Sequence, residues 1–339
     1  MAEVKVAYLG PPATYTHQAA LQVFRPTATL VPYATFPSIF AALRSGSATH
    51  AVVPVENSTN GPVIAALDLL LVFSRSPPTH AIVRETYVPV THCLLGRPNP
   101  LSSETPSPDL SHIRALYSHP QAWSQCTPFL DTHFPPGKGV SRHDTDSTAR
   151  AAEIVAADES GASAAICSPL AAEVYGLSVL APGIQARERN QTRFVVLGPR
   201  SQGGGEKGRG NWRVKTGFTI GVKGHRNVGL LSRMLVVLER RGVEVAFLNL
   251  RPGGQGGFNY AVVLEVFARR GEGSFDTAVR EIEGMGGVIS WVGEWEAAGI
   301  ASREVQRERG AGSRSLLWAG LAAGGLLILL QQRLSVWRR

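Results

Sequence analysis

Near the middle of the chain, Asn190-Gln191-Thr192-Arg193-Phe194 sets a hydroxyl beside a guanidinium at the mouth of an apolar run, Phe194-Val195-Val196-Leu197. A threonine hydroxyl is too weak an acid to release its proton freely, but it can hydrogen-bond an oxygen that is leaving. A guanidinium can grip a carboxylate through two parallel bonds. Four other stretches carry comparable groups. In "YLGPPATYTHQAA" a glycine turn leads to Thr14 and Thr16 at a helix start, where backbone N–H groups can receive an anion. Pro11 and Pro12 remove two of those donors. "VVPVENSTNGPV" ends a buried strand in Glu56, Asn57, Ser58, Thr59 and Asn60. "YSHPQAWSQC" puts Ser118 and His119 ahead of Pro120, and an imidazole titrates near neutrality. "RHDTDSTARAAEIVA" opens a helix with Asp146, Ser147 and Thr148. Taken singly, each stretch reads equally well as a capped helix or a turn.

The elements that must position these groups follow from periodicity. Residues 5–9 alternate as a strand, and Thr16 is expected to cap a helix presenting Ala20, Val23 and Phe24. Ser38 caps residues 39–43, Gly46 closes that helix, and residues 50–55 return as a strand. Pro62 suits the first turn of a helix over 63–73; Ser118 with Pro120, and Ser168 with Pro169, read as cap and first turn of two more. Such alternation implies parallel sheets with crossover helices. We expect two α/β lobes within residues 1–200, one of about 1–85 and 180–200 and one of about 86–179, with a cleft between them beyond the strand ends. The Gly-rich charged run around 201–213 is a linker. Residues 214–298 then read as strand 216–222, a helix from Asn227 to Arg241 ended by Gly242, strands 245–250 and 260–267, helix 274–285 and strand 288–292. That order, βαββαβ, is a ferredoxin-like sandwich.

Composition excludes several classes. With 44% hydrophobic and 18% charged residues over 339 positions, the chain is globular and long enough for two domains. Cys93, Cys126 and Cys167 form no close pair and suit buried, reduced thiols, with no metal-ligand spacing. The net charge of +8 is concentrated in residues 299–339, where seven arginines face two glutamates, so no basic stripe for nucleic acid remains elsewhere. The first residues lack a signal-peptide pattern, so a cytoplasmic location is expected. Residues 316–330 are apolar, between Arg314 and Arg333. As a helix they reach roughly 22 Å, short of the roughly 30 Å hydrocarbon core, so a short membrane anchor and an amphipathic docking helix both stay open. No P-loop, GxGxxG, GxSxG or serine triad is present. What remains is a hydroxyl- and amide-rich cleft suited to orienting carboxylates and assisting a departing hydroxyl.

Taken in order, these stretches resemble prephenate dehydratase across nearly all of residues 3–298. "YLGPPATYTHQAA" resembles the family's opening GPxGT(F/Y)S stretch, and "NQTRF" its NxTRF signature. "VPVENSTNGPV", "SHPQAWSQC", the Ser147-Thr148 helix start and "AAICSPLAAEVYGL" follow in family order. The resemblance implies a two-lobed, periplasmic-binding-protein-like catalytic domain followed by an ACT regulatory domain. It also implies conversion of prephenate to phenylpyruvate with loss of carbon dioxide and the ring hydroxyl, without metal or organic cofactor. Carried onto this chain, Thr192 assists the leaving hydroxyl, Arg193 pairs with a substrate carboxylate or holds the loop, and Phe194 packs at the site's edge. Thr14, Asn57, Ser58, Ser118, His119, Thr148 and Asn190 are expected at the pocket, with Glu56 orienting its neighbours. Phenylalanine is expected near Asn227, Val228, Gly229, Leu230 and Leu231, and near Asn249, Leu250, Arg251 and Pro252, between units of a homodimer or tetramer. Two departures stand out. Pro12-Ala13 replaces the usual Glu-Gly, and "NLRP" replaces ESRP without its acid and serine. Arogenate dehydratase and a silent amino-acid sensor are the alternative readings; since nothing precedes the first strand, no fused chorismate mutase is expected.

Overall fold

The computed structural model describes residues 3–75, 79–98, 109–200, 214–222, 227–253 and 260–298. The 201–213 linker and the 299–339 tail, with its apolar segment 316–330, lie outside the described residues. Among the described residues no helix is long and apolar enough to cross a membrane.

The first lobe alternates as its periodicity requires: β1 (Lys5–Leu9), α1 (Tyr15–Phe24), β2 (Thr29–Tyr33), α2 (Phe36–Ser45), β3 (His50–Asn57), the two-residue β4 (Gly61–Pro62), α3 (Ile64–Arg75) and β5 (His80–Pro89). The second lobe comprises β6 (Cys93–Gly96), β7 (Ala115–Ser118), α4 (Pro120–Gln125), α5 (Thr127–His133), β8 (Ser141–Asp144), α6 (Thr148–Ala157), β9 (Ser163–Cys167), α7 (Pro169–Tyr175) and β10 (Ser178–Ala181). The chain then returns as β11 (Gln191–Pro199). β11 slots antiparallel between β3 and β5 in the first sheet, while β10-β6-β9-β7-β8 form the second. Two crossings, residues 90–92 and 182–190, therefore join two α/β lobes across a cleft, the periplasmic-binding-protein-like arrangement. The crossings fall later than 85 and 180 because β5 stays paired with β11 through Pro89.

Several caps sit a few residues from their expected positions. Thr14, not Thr16, caps α1, its hydroxyl accepting from His17 N at 3.2 Å, while Thr16 is buried in the first turn. Thr35, not Ser38, caps α2; Ser38 answers it reciprocally in a capping box, and Gly46 closes the helix at φ 74°. His119, not Ser118, caps α4, accepting from Gln121 N through Nδ1. Pro62 belongs to β4, two residues ahead of the start of α3.

The C-terminal unit is β12 (Val214–Val222), α8 (Asn227–Arg240), β13 (Glu244–Pro252), β14 (Tyr260–Phe267), α9 (Gly273–Gly284) and β15 (Gly287–Glu296). Its antiparallel order β13-β14-β12-β15 is that of a ferredoxin-like sandwich. β15 runs past the expected 292 to Glu296 because β12 pairs with it along its whole length. β15 also meets β5 in one parallel bridge, Gly293 to Ile82, so all these strands join the first sheet. A Cβ at Gly293 would overlap the Ile82 backbone, so only glycine permits that approach. Arg251 of β13 grips Asp68 of α3 through two bonds of 2.6 and 2.9 Å.

Candidate active site

A cavity of about 950 Å³ occupies the cleft. The first lobe contributes Thr14, Asn57, Asn60, Thr192 and Phe194; the second contributes His119, Gln121, Gln125, Thr148 and Arg150. The N-terminal ends of α1 and α6 open on it from opposite sides, and the positive ends of two helix dipoles favour an anionic ligand.

The polar wall is directional. Asn57 Oδ1 accepts from the backbone N–H groups of Thr59 and Asn60, both at 2.9 Å. That fixes which way the amide faces, so Nδ2 must donate to Thr192 Oγ1 and Asn190 Oδ1, each at 2.9 Å. Asn190 Nδ2 in turn donates to Gln125 Oε1 at 3.0 Å, carrying the chain from β11 into the second lobe. Gln125 Oε1 lies 2.9 Å from His92 Nε2, so His92 carries its proton there. Burial lowers the His92 pKa, with Gln125 opposing, which favours the neutral ring. At the far end of the chain, Thr192 Oγ1 accepts from Asn57 and donates to no described residue, leaving its proton for the cavity. Other hydroxyls differ. Thr14 Oγ1 lines the cavity but donates to Leu9 O at 2.9 Å. Ser118 is fully buried, donates to Ile166 O and does not reach the cavity.

The remaining expected residues stand behind the wall. Ser58 pins the 189–191 turn, accepting from Gln191 N at 2.9 Å. Asn190 joins a smaller cavity of about 140 Å³ shared with Gln125 and Arg187. Arg193 turns away from the cleft and is clamped by Glu265, with Glu85 and the half-exposed Glu56 beside it. Burial works against its charge but Glu265 outweighs it, and the guanidinium's pKa is raised. Of the two roles open to it, holding the loop is the one this geometry supports. Among the described residues, the cavity's one Lys or Arg is then Arg150, ion-paired with Glu153 at 2.7 Å.

Sequence reasoning missed Gln125, His92, Tyr15 and Arg150. Gln121 and Gln125 stand one helical turn apart in "YSHPQAWSQC", a spacing that puts both on the cavity side of α4. His92, alone after a strand, carried no such signal. The three thiols are free and buried, and burial raises their pKa values, that of Cys126 to about 12. None lines the cavity.

Among the effector candidates, Leu230 and Leu231 pack in the core of the C-terminal unit. Asn227, Val228 and Gly229 open α8; the side chains of the first two lie outside the described set, and Gly229 is exposed. Asn249, Leu250, Arg251 and Pro252 lie on β13, and Asn249 Oδ1 is buried without a partner among the described residues.

A Bacillus subtilis prephenate dehydratase is 30% identical over 87% of the chain and 99% of its own length. A bifunctional chorismate mutase/prephenate dehydratase of Aquifex aeolicus is 32% identical over 83% of the chain and 70% of its own. Petunia hybrida arogenate dehydratase 1 is 34% identical over 74% of the chain and 53% of its own. Among solved structures, GqqA, described as a novel type of quorum-quenching acylase, aligns with TM-score 0.73 at 26% identity, covering 88% of the chain and 99% of its own. The Arthrobacter aurescens prephenate dehydratase in complex with L-Phe aligns with TM-score 0.71 at 27% identity, covering 87% and 90%. Residues 6–202 match the family described as prephenate dehydratase. The chain thus belongs to the prephenate dehydratase family and is a lyase of that type.

Proposed function

We propose that the interlobe cleft converts prephenate to phenylpyruvate, with Thr192 donating a hydrogen bond to the departing ring hydroxyl. The ring carboxylate leaves as carbon dioxide, its electron pair enters the ring, and the opposite C–O bond breaks to give an aromatic product. Aromatisation supplies the driving force, so the protein mainly orients a dianion and stabilises charge on the leaving oxygen. The observation that carries the reading is the fixed Asn57 amide, which makes Thr192 an acceptor on one side and leaves its proton for substrate. Arg150 and the two helix ends would receive the carboxylates, and Phe194 would border the ring. Acyl hydrolysis fits less well. Thr192 has an amide for its neighbour rather than a base, and the cavity holds no cysteine among its described residues.

The C-terminal unit is proposed as an ACT-type regulatory domain that takes phenylalanine near residues 227–231 and 249–252. Its ferredoxin-like order and the unpartnered Asn249 Oδ1, which an ammonium could satisfy, support this reading. Strand β13 lies at the end of the sheet, an edge unpaired among the described residues on which a second copy could assemble as a dimer. Purified protein given prephenate should form phenylpyruvate, faster than it turns over arogenate and more slowly with added phenylalanine. Faster turnover of arogenate would transfer the activity to that substrate. No binding heat up to millimolar phenylalanine would remove the effector role.

A further inference from the structure

Strand alternation sends Thr192 and Phe194 into the cleft and Arg193 to the opposite face of β11. There the Arg193 guanidinium meets Glu265 of β14 in two bonds of 2.7 and 3.1 Å, and Glu85 of β5 at 3.2 Å. Lys215 of β12 donates to the same Glu85 oxygen at 2.9 Å, and Ala298 N to the other at 3.0 Å. Phe247 of β13 lies with its ring 5.1 Å from the guanidinium. Arg193, Glu85, Glu265 and Lys215 are each at most 5% exposed. Desolvating four charges is costly, and well-packed apolar side chains often serve stability as well or better. The cluster thus calls for a role other than stability. A second observation supplies one: the pairing of β11 with β3 shifts register between Arg193 and Phe194, beside Thr192. The ladder with β5 stays in register from Gln191 to Val196, so backbone bonds hold that edge, and it is on the β3 side, where Asn57 meets Thr192, that the strand's fit is left to side chains.

We propose that Arg193 and Glu265 are positioning residues for Thr192: a carboxylate of the C-terminal unit fixes the guanidinium, which anchors the irregular segment of β11 carrying the hydroxyl against Asn57. The catalytic hydroxyl is thereby placed by a residue from outside both lobes of the cleft. The inference rests on the proposed role of Thr192 for its kinetic consequence only; its structural half stands on the anchoring of β11.

The test uses the full chain with Glu265→Gln, and with Lys215→Met added to restore the cluster's charge balance. Glu265→Gln should lower kcat about tenfold or more, leave KM within about twofold, and speed deuterium uptake in the peptide covering residues 191–194. The double variant should regain thermal stability while kcat stays low, because the two-bond clamp is still missing. Wild-type kcat in Glu265→Gln would overturn the proposal, as would a double variant that regains kcat together with stability. If Glu265→Gln does not fold, the charge-balanced double variant carries the same readouts. If the wild type forms no phenylpyruvate, the functional reading fails by itself, and uptake at residues 191–194 decides the anchoring: faster supports it, unchanged overturns it.

Discussion

In the proposed reaction the Thr192 proton goes to the leaving oxygen, and two backbone N–H groups free it by holding the Asn57 amide with Nδ2 toward the hydroxyl. Thr192→Ala should therefore lower kcat by roughly 100- to 1,000-fold, the scale for losing one oriented donor. Thr192→Ser keeps the hydroxyl and should retain most activity, with KM near wild type in both. A second residue carries strain. Ala13 adopts φ 69°, a conformation that costs a non-glycine residue about 1–2 kcal/mol. It is held there by His17 Nδ1 on its N–H at 3.0 Å and Ser168 Oγ on its carbonyl at 3.1 Å, the latter reaching from the second lobe. Relief of strain in Ala13→Gly is offset by about 0.4–1 kcal/mol of unfolded-state entropy and about 0.8 kcal/mol for the buried methyl. Denaturant unfolding should find it neutral to within about 1 kcal/mol. Ala151→Gly, at a buried helical position in α6, has no strain to relieve and should cost about 1.5–2 kcal/mol.

At the level of elements, the strand–helix junctions were legible because turn residues follow short apolar runs, and each junction did deliver a residue to the cleft wall or its support. The caps were misplaced by one to three positions where several hydroxyls or a histidine compete, as at Thr14 and Thr16, Thr35 and Ser38, and Ser118 and His119. Only the pattern of backbone acceptors decides among them. The setting of Arg193 was not legible at all, since its partners Glu85 and Glu265 lie 108 and 72 residues away. Periodicity reports which face a residue occupies, not which distant strand arrives opposite. The same cluster has a pH consequence. Burial alone would raise the Glu85 carboxyl, but Lys215 and Arg193 outweigh it and hold it below its ordinary value of 4.5. A depressed folded value means the stabilisation is present above about pH 4.5 and is lost as pH falls through the folded value. Thermal unfolding followed from pH 7 to pH 3 should show that loss, and Glu85→Gln should flatten it.

For the whole molecule, the bridge between Gly293 and Ile82 makes the C-terminal unit a continuation of the first lobe's sheet. Gly293→Ala forces a methyl into the Ile82 backbone and should destabilise by about 1–3 kcal/mol, read from the urea midpoint. If the displaced unit also withdraws Glu265 from Arg193, kcat should fall in the same variant. Arg251 on Asp68 provides a separate tie between the two units, so its loss should loosen the seam without touching the cavity.

A seam this close also limits how freely the molecule can be recombined. A chimera that grafts a relative's C-terminal unit onto these lobes has to match more than chain length. The donor must bring a residue without a side chain where Gly293 abuts Ile82, and an acid where Glu265 meets Arg193. Any donor lacking either would join two intact folds and still misplace the hydroxyl, so the boundary that looks modular in the chain is a fitted joint in three dimensions.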